Sequence, residues 1–445
     1  MTEPQTVAYV LKGYPRRSEI FIASEIHRLE RLGVRLRLYV LKPADEDQHH
    51  PVVDRIQAKP VYLPATTSLS ASKALPWLRA NLGAFLPALR RVAVRHPWRL
   101  ATAARLAVAQ SVRARASFWA WPRKLYLKEL LLAVALVDQL DAAGDVRHLH
   151  AHFAHGSATV AWLAATVSRI PFSFTGHAKD VYSPSLNPAG LLRRKMEAAE
   201  FVVTCTAANR THLRRMAGRT PVHLAYHGLN ADFAALIDRD GPLPPLPGRH
   251  TPVQAAPPPL RVLGVGRLVP KKGFDTLVEA CALLRRQNLD LELVIAGERG
   301  EHEPEIRRLI ERHGLGDRVR LLGPQGQAEL YDLYRCAAVF CLPCRVLDNG
   351  DRDGIPNVLV EAMACGLPVV TTAVSGIPEL VSHDITGLLV PPDDPHALAA
   401  QLLRIARDPR LARRLAASAS ASVAERFDGD RLAVRMADLF TGSLR

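Results

Sequence analysis

The sequence predicts two Rossmann-like, doubly wound α/β domains that face each other across a cleft. Short β-rich runs alternate with helical stretches in each half, which is typical of parallel sheets covered on both faces. Residues 241–260, GPLPPLPGRHTPVQAAPPPL, hold eight prolines in twenty positions and predict an inter-domain linker. The chain has 445 residues, of which 48% are hydrophobic and 23% charged, so each half is long enough to bury its own core.

The first half, residues 1–240, carries six strand-like runs and forms the predicted N-terminal domain. A helical pattern at Glu19–Arg31 separates the first two of these runs. The predicted strands are Val7–Leu11, Val34–Val40, His148–Phe153, Pro171–Phe174, Phe201–Cys205 and Val222–Tyr226.

The second half repeats the alternation after a linker at 241–259, so residues 260–425 form the predicted C-terminal domain. Helical patterns at Thr276–Arg286 and Pro304–His313 lie between the strand-like runs. The predicted strands are Leu260–Val265, Leu291–Ala296, Val319–Leu322, Val339–Leu342, Val369–Thr372 and Leu388–Val390. In open α/β sheets ligands bind beyond the carboxyl ends of the strands, so we expect the functional residues there.

The formal net charge of +15 is confined to the first half. Residues 1–240 hold 33 basic and 18 acidic side chains, whereas residues 241–445 hold 25 of each. This excess predicts an anionic partner: nucleic acid, an anionic membrane or a phosphorylated substrate.

A basic, Trp-rich segment at residues 55–128 concentrates this charge. It holds 14 Lys or Arg residues, no acid, and four of the five tryptophans, Trp77, Trp98, Trp119 and Trp121. Its prolines predict several short helices, and basic amphipathic helices with Trp favour an anionic membrane surface. The alternative is a helical subdomain with core tryptophans and solvated arginines. No helix-turn-helix, zinc-finger or RNA-binding motif accompanies the segment, so a nucleic-acid partner is not predicted.

Six cysteines are too few for a disulfide scaffold and indicate a reducing compartment. The N-terminus shows no signal-peptide pattern. The longest relevant apolar run, Leu130–Val137, is too short for a bilayer, which needs about 20 residues. We therefore expect a cytoplasmic protein that is peripheral at the inner face of the membrane.

The strongest chemical motif runs from Asp353 to Val370, DGIPNVLVEAMACGLPVV. Pro356 suits the first turn of a helix, which would leave the backbone N–H groups of Asn357 and Val358 free to bind an anion such as a diphosphate. Glu361 follows about one turn later. The alternative is an ordinary capped helix with an exposed glutamate.

A second motif at 262–280 places cations after a predicted strand. Gly266 is followed by Arg267 and, five residues later, by Lys272 at the start of a helix. Two cations at the carboxyl end of a strand can bind one phosphate group together. The alternative is a pair of solvated loop charges.

In this order, and about 80 residues apart, the two motifs resemble those of the retaining glycosyltransferases of family 4, which have the GT-B fold. The resemblance continues at 339–343, 375–381 and 386–391. In the first half, YPRRSEIF at 14–21 and PFSFTGHAKD at 171–180 resemble the branch that builds exopolysaccharides of the colanic acid type. This fold implies that the last helix, within 426–445, packs back on the N-terminal domain.

The resemblance assigns roles to the donor residues one by one. Arg267 and Lys272, with Gly266 in their loop, match the group that holds the donor diphosphate. Asn357 and Val358 match its backbone donors, and Glu361 matches the carboxylate that binds the ribose. Asp353 stands where the family has Glu in contact with the transferred sugar, so its side chain is one methylene shorter.

On the N-terminal side, His177 matches a histidine near the donor sugar and the reacting centre. The alternative is a capping or core histidine. We assign Gly13, Ser18, Glu19 and His152 to the acceptor side, although the paired glycines usual in the first loop are absent.

The resemblance implies transfer of a hexose from a UDP- or GDP-sugar to a saccharide, polyprenyl-linked or otherwise carried by a lipid, with retention of anomeric configuration. No DxD-type aspartate pair lies in a suitable loop, so we expect no cofactor and no metal. A sugar-nucleotide epimerase of the same fold and a non-catalytic basic binding protein are the alternatives.

Two clusters invite other interpretations. His148, His150, His152 and His155 have the spacing of a zinc site on one strand face. Cys336, Cys341, Cys344 and Cys365 have a spacing found in iron–sulfur proteins. We favour an ordinary strand and buried thiols.

Overall fold

The computed structural model describes residues 6–16, 19–43, 50–70, 73–240 and 259–442. The chain divides into two compact units. Unit 1 comprises Met1–Cys205, Asn209–Tyr226 and Asp430–Arg445, and unit 2 comprises Thr206–Ala208 and His227–Gly429.

Unit 1 is built on a parallel sheet. Among its described residues, seven strands lie in the order β3-β2-β1-β4-β5-β6-β7. The first strand, TVAYVL, is buried throughout, as expected for a strand covered on both faces. The strands are β1 (Thr6–Leu11), β2 (Arg35–Val40), β3 (Pro60–Tyr62), β4 (Val146–His152), β5 (Phe172–Gly176), β6 (Phe201–Thr204) and β7 (Val222–Leu224).

Helices cover both faces of this sheet. On one face α4 (Leu125–Ala143) is almost wholly buried, since its apolar run LLLAVALV packs in the largest core cluster of the unit. On the other face Met436, Leu439 and Phe440 of the last helix pack with Val7 and Tyr9 of β1. The helices before β7 are α1 (Ile20–Arg31), α2 (Ala74–Arg95), α3 (Pro97–Arg113), α4 (Leu125–Ala143), α5 (Ser157–Ser168), α6 (Ala178–Tyr182), α7 (Leu191–Ala198) and α8 (Ala207–Arg214).

The prediction that prolines divide residues 55–128 into short helices is wrong for α2, which continues for 22 residues through Pro87. A proline inside a helix removes one backbone hydrogen bond. Here burial of Trp77, Phe85 and Val92 outweighs that loss, because all three side chains join the core of unit 1. Pro97, in contrast, starts α3 at a position where no N–H is needed.

Unit 2 contains a second parallel sheet. Its described residues form six strands in the order β10-β9-β8-β11-β12-β13. The strands are β8 (Leu260–Val265), β9 (Leu291–Ala296), β10 (Val319–Leu322), β11 (Val339–Leu342), β12 (Val369–Thr372) and β13 (Leu388–Val390). The remaining helices are α9 (Ala231–Asp240), α10 (Phe274–Arg286), α11 (Glu303–Arg312), α12 (Gln327–Cys336), α13 (Asn357–Ala364), α14 (Ile377–Leu380), α15 (Pro395–Arg407), α16 (Pro409–Arg426) and, packed in unit 1, α17 (Gly429–Thr441).

Helix α9 belongs to unit 2, although the sequence places it within the N-terminal domain at 1–240. Its Phe233 packs edge-on against Tyr331 and Tyr334 of α12, at ring-centroid distances of 5.8 and 5.7 Å. Unit 2 accordingly includes the chain from His227 onwards, up to Gly429. Residues 241–258 of the predicted linker lie outside the described residues.

Within the described ranges, no helix combines the length and the apolar character needed to cross a membrane. The cysteines are free thiols, and Cys341, Cys344 and Cys365 are buried as predicted, whereas Cys336 is exposed.

Candidate active site

The donor residues predicted in unit 2 lie where its strand order reverses. Strands β8 and β11 are neighbours, with β9 and β10 on one side and β12 and β13 on the other. Open α/β sheets bind ligands at such a switch point, beyond the carboxyl ends of the strands. The loop after β8 carries Gly266, Arg267 and Lys272, and the segment after β11 carries Asp353.

Two glycines allow these loops to come together. Gly273, which precedes α10, has a φ of +68°, and a Cβ there would lie 1.9 Å from the carbonyl oxygen of Pro343. A Cβ at Gly297 would lie 2.1 Å from the carbonyl oxygen of Gly266. A side chain at either position would therefore push apart the loops that carry the site.

An ion-pair cluster forms the centre of this site. The Lys272 Nζ lies 2.8 Å from Asp353 Oδ2, and the Lys271 Nζ lies 3.2 Å from Asp353 Oδ1 and 3.1 Å from Asp351 Oδ1. The sequence predicted Lys272 and Asp353 but not Lys271 or Asp351. The Lys271-Lys272 pair and the Asp351-x-Asp353 pattern were the available signals. The expectation that no DxD-type aspartate pair lies in a suitable loop is therefore wrong, although both aspartates bind lysine here.

The cluster keeps its central pair charged. Burial by itself raises the pKa of Asp353, but the two lysines outweigh it and hold that pKa well below its usual range. Burial likewise lowers the pKa of Lys272, and Asp353 overcomes this effect and raises it. The positive charge of Arg267 opposes protonation of Lys272, so the two predicted cations do share one region.

Helix α13 presents its first turn at the same switch point. It begins at Asn357, and Pro356 occupies the position before the helix instead of the predicted first turn. No side-chain hydrogen bond caps its N-terminus, and the N–H groups of a helix's first turn, here those of Asn357 and Val358, have no partner within the helix.

Glu361 lies one turn further along α13, in contact with α12. The Tyr334 hydroxyl lies 3.1 Å from Glu361 Oε2, to which it donates, and 3.3 Å from the carbonyl oxygen of Val358. Burial raises the pKa of Glu361 to about 7, and the hydrogen bond from Tyr334 works against that rise. Tyr334 was not predicted from the sequence.

In unit 1, His177 follows β5 and precedes α6. Its backbone N–H donates to Asp180 Oδ1 at 2.7 Å, so part of its role is to start this helix. Its ring lies 4.8 Å from the ring of Phe153, 5.2 Å from that of Phe21 and 5.9 Å from that of His152.

The four predicted acceptor-side residues lie in different environments. Glu19 binds Arg16 at 3.0 Å just before α1, and burial raises its pKa. Gly13 follows β1 in the adjoining loop. His152 is fully buried, with its Nε2 2.9 Å from Glu25 Oε1, and therefore does not lie exposed at the strand end. Ser18 lies outside the described residues.

Part of the histidine cluster lies close together. Ligand atoms of Glu25, His150 and His152 lie within 4.8 Å of one another. Both nitrogens of His150 already contact hydroxyl groups, those of Ser173 at 2.8 Å and Thr175 at 3.0 Å. A metal ion would have to displace such contacts.

A buried polar hub supports the loops after β4 and β5, and sequence reasoning missed it. The Asp180 carboxylate accepts the backbone N–H groups of His177 and Ala154. The fully buried Lys195 ammonium donates to the Ala154 carbonyl and, at 2.7 Å, to Asn187 Oδ1. The only sequence signal was the spacing of His177 and Asp180, since Lys195 stands in a helix that looks basic and solvated.

Known proteins resemble this chain in sequence. The model of the family described as glycosyl transferases group 1 matches residues 252–421. A D-inositol 3-phosphate glycosyltransferase of Streptomyces bingchenggensis is 30% identical over 318 residues, which cover 67% of each chain. The chain belongs to the group 1 glycosyl transferases.

Higher identity is found over shorter stretches of other glycosyltransferases. The amylovoran biosynthesis glycosyltransferase AmsK of Erwinia amylovora is 44% identical over 149 residues, and the putative colanic acid biosynthesis glycosyltransferase WcaL of Escherichia coli is 44% identical over 151. Each match covers 34% of this chain and 36% or 37% of the relative, so the chain matches about a third of their length.

Solved structures match this glycosyltransferase over nearly its whole length. The sucrose-phosphate synthase of Thermosynechococcus elongatus has a TM-score of 0.67 at 21% identity, covering 98% of both chains. The Anabaena protein HepE, in complex with UDP and glucose, has a TM-score of 0.65 at 17% identity and covers 98% and 100%. The predicted GT-B fold class, with two parallel-sheet α/β units, is confirmed.

Proposed function

We propose that this glycosyltransferase moves a hexose from a UDP- or GDP-sugar to a saccharide acceptor and retains the anomeric configuration. The observation that carries the proposal is the convergence of Arg267, Lys272 and the first turn of α13 at the switch point of unit 2. A diphosphate fits this combination of cations and free N–H groups.

The same groups favour cleavage of the bond between sugar and diphosphate. Negative charge develops on the leaving diphosphate, and donors already oriented towards it stabilise the transition state. Lys272 and Arg267 supply positive charge, and Asn357 and Val358 supply backbone N–H groups. These residues meet the charge of the leaving group by themselves, so the proposed reaction is independent of metal and cofactor.

We assign Asp353 to the transferred sugar. Its carboxylate stays ionised beside Lys272 and Lys271, and positive charge develops on the sugar ring during transfer. The leaving phosphate accepts the proton of the acceptor hydroxyl, and the new bond forms on the face that the diphosphate leaves. Glu361 binds the ribose, with Tyr334 orienting its carboxyl group.

The acceptor we propose is a lipid-linked saccharide, polyprenyl-linked for example, in exopolysaccharide or other cell-surface glycan synthesis. AmsK and WcaL are named for amylovoran and colanic acid biosynthesis, which supports this assignment. HepE is described in complex with UDP and glucose, which makes UDP-glucose the first donor to assay.

An anionic membrane surface is the proposed site of action. Trp98, Trp119 and Trp121 are 84%, 89% and 91% exposed, and Phe118 is 75% exposed. Trp77 is buried. The core interpretation of this segment therefore applies to Trp77, and the surface interpretation applies to the other three tryptophans. Exposed Trp among arginines fits the headgroup region of an anionic bilayer. We propose that the enzyme works in the cytoplasm, peripheral to the inner face of the membrane, without a nucleic-acid partner.

Sedimentation with vesicles of phosphatidylglycerol and phosphatidylcholine tests the membrane assignment. Replacement of Phe118, Trp119 and Trp121 by Ser should release the protein from these vesicles. The matched control is Ile385→Ser in unit 2, where Ile385 is also exposed. Equal binding of both variants would contradict the assignment.

Transfer itself is tested with UDP-glucose and GDP-mannose, polyprenyl diphosphate saccharides as acceptors, and NMR of the anomeric linkage. The proposal expects an α-linked product from an α-configured donor and full activity with EDTA. An inverted linkage would refute retention, and release of epimerised sugar nucleotide would refute transfer.

A further inference from the structure

The ion-pair cluster of unit 2 contains two adjacent lysines, and they make different contacts. Lys271 lies beside Lys272 in a short 3-10 turn, Pro270–Lys272, that follows β8. The Lys271 Nζ lies 3.1 Å from Asp351 Oδ1 and 3.2 Å from Asp353 Oδ1. The Lys272 Nζ instead lies 2.8 Å from Asp353 Oδ2. The two oxygens of the Asp353 carboxylate are therefore bound by different lysines.

Two negative groups require Lys272. In the proposed reaction its ammonium group binds the donor diphosphate, and in the structure it binds Asp353. Anions that share one cation compete for it, and they also repel each other. Among the described residues, Lys271 is the other cation in contact with Asp353. A third neighbour of this carboxylate, the Cys344 thiol at 3.6 Å from Oδ2, is only a weak donor.

Low exposure makes this competition costly. The side chains of Lys271, Lys272, Asp351 and Asp353 are 12%, 13%, 15% and 16% exposed. Water and salt screen charges weakly at such sites, so a carboxylate that loses its cation there is strongly destabilised. When a diphosphate takes over Lys272, Lys271 remains on the other oxygen of Asp353 and keeps this carboxylate paired.

The backbone around Lys271 is fixed by contacts with the segment after β11. The N–H of Arg345 donates to the carbonyl oxygen of Lys271 at 2.9 Å. The guanidinium group of Arg345 in turn forms ion pairs with Asp275 in the first turn of α10 and with Asp393. Groups that are held in advance spend less free energy on ordering when a ligand binds.

We propose that Lys271 is a positioning residue, which holds Asp353 at the transferred sugar and thereby leaves Lys272 available to the diphosphate. The inference rests on the proposed function and divides the work of its two lysines. Lys271 acts through Asp353 and does not contact the donor. Asp351 binds the same ammonium group and orients it.

Calorimetry on the full-length protein with UDP and with GDP tests this division, at about pH 8, where the terminal phosphate is ionised. These probes carry a diphosphate but no sugar, so their affinity does not depend on a contact between Asp353 and sugar. Lys271→Gln should weaken the preferred nucleotide about tenfold, because Asp353 then competes for Lys272. When Asp353→Asn is added, the affinity should return to within about twofold of the Asp353→Asn variant, since the competing charge is gone.

Turnover with UDP-glucose and a saccharide acceptor supplies a second measurement. At saturating donor, Lys271→Gln should lower kcat about 10–100-fold, because Asp353 is no longer held in place. Lys271→Arg keeps the positive charge and should restore both kcat and nucleotide affinity to within about threefold of the wild type.

Arg318→Gln is the matched control. Arg318 also binds two carboxylates, with Asp290 Oδ1 at 2.8 Å and Asp317 Oδ2 at 3.1 Å. It directly precedes β10, however, and so lies at the edge of the sheet opposite the carboxyl ends of the strands. This variant should leave kcat and nucleotide affinity unchanged.

Two results would overturn the proposal. If Lys271→Gln leaves the nucleotide affinity unchanged, Asp353 does not compete for Lys272. If the affinity stays about tenfold low after Asp353→Asn is added, Lys271 acts on the diphosphate directly or supports only the fold. Recovery of the affinity in the double variant excludes misfolding as the cause of the loss.

Failure of the proposed function would give a different pattern. A wild-type protein that binds UDP or GDP but transfers no sugar would refute that function, and the nucleotide affinities would still report on Lys271. A wild-type protein that binds neither nucleotide would overturn both.

Discussion

Binding of the donor should depend on pH through Glu361. Burial raises the pKa of this carboxyl to about 7, and the proposed role of the group is to accept hydrogen bonds from the ribose hydroxyls in its ionised form. With that pKa, roughly a tenth of Glu361 is ionised at about pH 6 and roughly nine tenths at about pH 8. If the ionised form binds, donor affinity rises about tenfold over this interval.

The effect on protein stability has the opposite sign. The folded protein holds the Glu361 proton more tightly than the unfolded chain does, so this group adds stability at acid pH. That contribution is lost as the pH rises through about 7. Donor binding and unliganded stability should therefore change in opposite directions over the same interval.

Calorimetric titration with UDP-glucose or GDP-mannose at several pH values measures the effect. A sugar nucleotide is preferred to a free nucleoside diphosphate, whose terminal phosphate titrates in the same range. Glu361→Gln is the control, because an amide of the same shape does not ionise and should give a flat profile. An unchanged slope in that variant, or no slope in the wild type, would refute the role of Glu361.

Three further predictions concern unit 2. Tyr334→Phe keeps the ring packing but removes the hydrogen bond that lowers the pKa of Glu361, so the midpoint of the pH profile should move upwards; a downward shift would contradict the geometry. Lys272→Ala should cut turnover about 10²–10³-fold, the usual cost of losing one donor to a developing anion, while a melting temperature close to that of the wild type shows that the fold remains. Wild-type turnover in both this variant and Arg267→Ala would refute the donor site. Gly273→Ala puts a Cβ 1.9 Å from the Pro343 carbonyl oxygen at a φ of +68°, so it should cost about 3 kcal/mol and lower the melting temperature by roughly 6–12 °C, whereas Gly316→Ala, with open space around its Cβ, should not.

The proposed donor site could be assembled from the sequence because its parts are local. Gly266, Arg267 and Lys272 follow one strand, and Asp353 and Glu361 belong to one loop and helix. Once the strands are recognised, parallel pairing brings their carboxyl ends to one edge, so both motifs must approach each other. The surroundings of Asp353 were not predictable in this way, since the lysines that keep it ionised lie about 80 positions earlier in the chain.

By itself, the sequence determined twelve of the thirteen described strands, all except β3, because hydrophobic periodicity acts over a few neighbouring positions. The GT-B fold class and the proposed donor residues came from short motifs that resemble those of a known family. Only the tertiary structure decided which side chains meet across long separations. It buried Trp77 while exposing Trp119, moved α9 into unit 2 and placed Tyr334 against Glu361. It also brought Lys12 to His155, 143 positions away. Such contacts depend on how whole elements pack, and residue periodicity carries no information about that packing.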